Sequence, residues 1–87
     1  MLDEERIEEL AAEVAAELSR NVKGFGIEDI EGDADGAMLI TFSWEQQPFF
    51  VEVTINPKDH ETDESVRAEL RRLLSRAGLR FSSNYFH

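Results

Sequence analysis

Across 87 residues the chain carries 19 aspartates and glutamates against 9 lysines and arginines, a formal charge of −10 at pH 7. Its 41% apolar and 32% charged residues describe a foldable chain, a single domain over residues 1–87 rather than a disordered tail. With no cysteine, a disulfide framework, a thiolate zinc site and a cysteine nucleophile are all excluded, and the acid surplus opposes direct contact with a nucleic-acid backbone.

The opening Met1-Leu2-Asp3-Glu4-Glu5-Arg6 has neither the basic start nor the apolar run of a signal peptide. The longest apolar runs, such as Ala37–Ile40 and Phe49–Val51, fall far short of the roughly 20 residues of a membrane span. A cytoplasmic location without membrane contact is expected.

The first predicted element is an amphipathic helix over Asp3–Val22. Ile7, Leu10, Ala11, Val14, Leu18 and Val22 share one stripe at helical spacing, while Glu8, Glu9, Glu13 and Glu17 lie outside it. Acids at residues 3–5 suit a helix start, Arg20 and Lys23 suit an end, and Gly24 stops the run.

Strands follow. Phe25–Glu31 is a weak candidate, since Ile27 and Ile30 are three apart and share a face only across a bulge. Gly32–Gly36 has turn composition. In the next two segments Met38, Ile40, Phe42 and Trp44, then Phe49, Val51, Val53 and Ile55, alternate with mostly polar neighbours. A two-residue turn at Gln46-Gln47 sets Trp44 opposite Phe49, Phe42 opposite Val51, Ile40 opposite Val53 and Met38 opposite Ile55. All eight apolar side chains then occupy one face. The other face holds Leu39, Thr41, Ser43, Phe50, Glu52 and Thr54 and is expected to be wet.

Asn56-Pro57 ends that strand. Residues 58–61 read as a surface loop, and Thr62 as the N-cap of a second helix buried through Val66, Leu70, Leu73, Leu74 and Ala77. Gly78-Leu79 fits a Schellman ending, and the alternation of Leu79, Phe81 and Tyr85 allows a fourth strand. The order is α-β-β-β-α with a possible final β. Two apolar helix stripes on one apolar sheet face make a two-layer α+β sandwich, an antiparallel sheet packed on two helices.

Several constellations invite chemistry. Glu31, Asp33 and Asp35 followed by Gly36 resemble the start of an EF-hand loop, but its twelfth position falls on Phe42, where a bidentate glutamate is required. A hairpin turn is the simpler reading. Asp59-His60-Glu61 lacks a second histidine nearby, so no metal is expected. Gly24-Phe25-Gly26 follows a helix and lacks the third glycine of a dinucleotide loop, which leaves no cofactor to expect. Ser43, Ser82 and Ser83 have no nucleophile elbow, and His60 is the one internal base, so no catalytic residues are assigned.

The α-β-β-β-α order is similar to that of the double-stranded-RNA-binding domain, whose second helix opens with phosphate-gripping lysines. Here residues 58–64 hold four acids and one lysine, so the likeness is topological and no nucleic-acid binding is carried over. Residues 40–50, Ile-Thr-Phe-Ser-Trp-Glu-Gln-Gln-Pro-Phe-Phe, and the ending Arg80–His87 resemble small acidic proteins of unknown function from Burkholderia-type bacteria. That resemblance implies no activity and no site residues.

Charge is unevenly placed. Residues 1–22 and 23–56 each hold seven acids, against two bases and one, whereas residues 57–87 hold five acids and six bases. One reading of the arginine-rich second helix is a solvated face with local pairs such as Glu69 with Arg72. The other is that it meets the glutamate-rich first helix, within the chain or across a dimer. Phe50, Tyr85 and Phe86 form either a satellite core or an apolar patch.

The expected function is a small acidic, non-enzymatic interaction domain, either self-associating or bound to another protein. Its possible surface comprises Phe50, Arg67, Arg71, Arg72, Arg76, Tyr85 and Phe86. The alternative is a nucleic-acid mimic in a basic groove of another protein, which needs the first-helix glutamates, Asp29, Glu31, Asp33 and Asp35 to be contiguous. A small hydrolase would need a pocket holding His60 and a carboxylate.

Overall fold

A computed structural model describes residues 2–45 and 50–77. In chain order the elements are α1 (Glu4–Ser19), β1 (Gly26–Gly32), β2 (Met38–Ser43), β3 (Val51–Ile55), a single 3-10 turn at Pro57–Asp59, and α2 (Asp63–Arg76). The strands form an antiparallel meander in the order β1-β2-β3. Both helices pack on one face of it, so the architecture is the expected two-layer α+β sandwich.

Between β2 and β3 the register is as the alternation predicts. Met38 pairs Ile55, Ile40 pairs Val53 and Phe42 pairs Val51. The pairing of Trp44 with Phe49, the Gln46-Gln47 turn, the Schellman ending and the fourth strand involve residues outside those described. Between β1 and β2 the ladder slips one residue: Ile27 pairs Phe42 but Asp29 pairs Thr41. Glu28 is the extra residue of a bulge, which lets Ile27 and Ile30 both pack against the core.

The core lies between sheet and helices. Ile7, Leu10, Ala11, Val14 and Leu18 of α1 and Val66, Leu70 and Leu74 of α2 meet Met38, Ile40, Phe42, Val53 and Ile55. Phe25 stacks on Phe42 with ring centroids 5.4 Å apart and lies 5.6 Å from Trp44, closing one end of this layer.

Caps and turns follow from local chemistry. The Asp3 carboxylate accepts the Arg6 amide at 2.8 Å, and the Thr62 hydroxyl accepts the Ser65 amide at 3.1 Å. In the β1–β2 turn, Asp33 Oδ1 accepts the amides of Asp35 (2.8 Å) and Ala37 (3.0 Å), while Gly36 takes φ +87°. Its lone pairs are thus committed to the turn.

Two local expectations change. The first helix stops at Ser19 rather than Val22, because Asn21 donates to the Leu18 carbonyl and tightens the final turn. Val22 still reaches the core, from the turn instead of the helix. Lys23 supports no helix end: its carbonyl accepts the Glu45 amide at 3.0 Å, and its ammonium lies 3.7 Å from the Glu45 carboxylate. Gly24 makes this approach possible, with φ +75°.

No helix among the described residues is long and apolar enough to cross a membrane.

Candidate interaction surface

Helices α1 and α2 lie side by side and run in the same direction. Their pairing advances in step: Arg67 meets Glu13 and Arg71 meets Glu17, each at 2.9 Å, one helical turn apart on both helices. Glu64 adds contacts to Arg67 at 3.4 Å and Arg71 at 3.9 Å. At the leading end Arg6 grips the Asp63 carboxylate through two nitrogens. This bond holds the Asp63 carboxyl below its ordinary range and raises the Arg6 guanidinium. Glu13 does the same for Arg67.

The arginine helix therefore does meet the glutamate helix, within the chain. Arg67 and Arg71 cross-link the helical layer. Arg72 is held by Glu69 one turn back on its own helix, the local pair expected, and that bond lowers the Glu69 carboxyl. Arg76 is exposed in the last turn of α2. Tyr85 and Phe86 lie outside the described residues.

His60 departs from the surface-loop expectation. It is 8% exposed, and its Nδ1 lies 2.6 Å from the Ser65 hydroxyl, while its carbonyl accepts the Leu2 amide at 3.3 Å. The imidazole ties the loop before α2 to the first turn of that helix, and the backbone carbonyl ties it to the segment preceding α1. A buried ring satisfied this way does structural work. A cavity of about 260 Å³ opens nearby, lined by Leu2, Asp3, Glu4, Gly36, Pro57 and Lys58, and neither His60 nor Ser65 lines it. Among the described residues no cluster of three or more histidine, cysteine or acidic side chains could hold a metal ion.

The sheet's outer face is the other half of the picture. Residues whose partners alternate away from the core fall into two crosswise rows: Asp29, Thr41 and Glu52, then Glu31, Leu39 and Thr54. Glu28, displaced by the bulge, accepts the Ser43 hydroxyl at 2.6 Å beside them. No described element covers this face. Phe50, just before β3 and of the same parity as Glu52, is 69% exposed. Residues 24–57 contain seven acids and no lysine or arginine, so the strands hold no cation to balance these carboxylates.

The acids thus divide between two opposite layers. Glu13 and Glu17 are committed to arginines in the helical layer, while Asp29 and Glu31 stand on the far side of the sheet. Sequence reasoning named the arginines, Phe50, Asp29 and Glu31 but missed Glu28 and Glu52 beside them on the sheet. The signal was available in the parity of β1 once its bulge was placed.

No family model, curated protein or solved structure matches this chain.

Proposed function

We propose that this chain is a small, non-enzymatic protein-interaction domain acting in the cytoplasm. One observation carries the reading: the arginines between the helices are taken up by Glu13 and Glu17, whereas the sheet's outer face carries carboxylates with no lysine or arginine on its strands and an exposed aromatic at its rim. Keeping like charges together on one face costs stability, and such local conflict is characteristic of surfaces kept for binding. The mixed polar and apolar character of Leu39, Thr41, Thr54 and Phe50 suits a non-obligate contact, which is no more apolar than ordinary protein surface.

Affinity capture with the full chain from its native host, combined with light scattering for mass in solution, tests this. Saturable capture of a defined partner, or a discrete dimer, is the expected result. A strict monomer that captures no protein overturns it.

A further inference from the structure

The partner's chemistry can be taken one step further, on the basis of the interaction reading above. Strand addition at a sheet edge is disfavoured on both sides. β1 is kinked by its bulge at Glu28 and carries three acids, while β3 is five residues long and runs into Pro57 two residues past its end. Bulges, charges and prolines are the devices that keep edges from pairing. The outer face is left as the binding element.

On that face Asp29 and Glu52 flank Thr41 from the two neighbouring strands, which places their backbones two strand spacings, about 10 Å, apart. Glu28 and Glu31 extend the acidic surface along β1. Lysine and arginine reach across such gaps with apolar stems and charged ends, and the stems suit Leu39 and the threonines beneath. Phe50 offers an exposed ring that can take an apolar anchor or stack with a guanidinium.

We infer that the outer sheet face docks a lysine- and arginine-bearing segment of a partner protein, laid across the strands, with Glu28, Asp29, Glu31 and Glu52 receiving its cations and Phe50 anchoring one end. Association is electrostatically steered and weakens as salt rises.

The probe is a synthetic amphipathic peptide with lysines and arginines along one face, titrated calorimetrically against the full chain and three variants. One variant removes the face's carboxylates: E28Q/D29N/E31Q/E52Q. A charge-matched control removes four acids elsewhere: E5Q/E8Q/D59N/E61Q. The third is F50A. Circular dichroism verifies that each variant is folded. The sheet variant is expected to weaken binding by about tenfold or more and F50A by a few-fold, while the matched control stays within about twofold. Equal weakening by the two quadruple variants overturns the inference, because attraction is then a property of net charge alone. Absence of peptide binding overturns it too, and if the chain still captures a protein partner, the interaction reading survives separately. Self-association of the full chain that the sheet variant abolishes assigns the face to a second copy and likewise overturns it.

Discussion

Arg6 and Asp63, 57 residues apart in sequence, form a two-point guanidinium–carboxylate pair that pins the start of α1 to the start of α2. Their side chains remain 34% and 36% exposed, so solvent screens the pair and its contribution is modest. The pH dependence is more telling. Asp63 titrates lower in the folded protein than in the unfolded chain, chiefly because of the Arg6 bond. Its stabilisation is therefore fully present above the unfolded value of about 3.9 and is lost as the pH falls through the lower folded value. Urea midpoints should show Asp63→Asn weaker than the parent at neutral pH, with the difference vanishing in acid. A pH-independent difference would assign the effect to packing.

Phe42 is wholly buried and stacks on Phe25, so its truncation leaves a cavity at the centre of the sheet–helix interface. Phe42→Ala should cost about 3–5 kcal/mol in urea denaturation. Domains of this kind are stable by roughly 5–15 kcal/mol, so the variant will unfold under mild conditions.

Two glycines near the same corner separate backbone strain from space. Gly24 has φ +75°, and an added Cβ would stand 3.3 Å from the Glu45 nitrogen, whereas Gly26 has nothing within 4 Å. Gly24→Ala should lower stability by more than about 1 kcal/mol, and Gly26→Ala should leave it unchanged or slightly raised. Thermal unfolding of the pair checks both.

Thr62 caps α2 through the Ser65 amide, and the Ser65 hydroxyl in turn contacts His60. Thr62→Ala should cost about 1 kcal/mol, with Asn or Asp at the same position restoring most of it. Ser65→Ala acts differently. It leaves a buried imidazole nitrogen without its partner and should cost about 1–3 kcal/mol. Hydrogen exchange at Leu2, whose amide bonds the His60 carbonyl, should accelerate in the Ser65 variant.

Much of this fold could be read before any coordinates because its strands announce their own register. The parity of Met38, Ile40 and Phe42 against Val51, Val53 and Ile55 puts all six on one face, a short connection selects the register, and that pairing is found. The three-residue gap from Ile27 to Ile30 demanded a bulge, and Glu28 supplies it. What escaped is long-range. Nothing local links Arg6 to Asp63, and His60 reads as loop because burial arises from the meeting of three segments. The candidate surface was half legible for the same reason: exposed Phe50 follows from strand parity, but whether an arginine faces solvent or a neighbouring helix depends on packing.

The parallel course of the two helices has an electrical consequence. Side by side, their backbone dipoles point the same way and repel, so the Glu13–Arg67 and Glu17–Arg71 pairs hold together elements that would otherwise push apart. Both positive dipole ends lie at one end of the molecule, where Glu4, Glu5, Asp63 and Glu64 occupy the first turns. Arg20 and Arg76 stand at the negative ends. Side-chain charge and backbone dipole thus oppose each other at both ends of the helical layer.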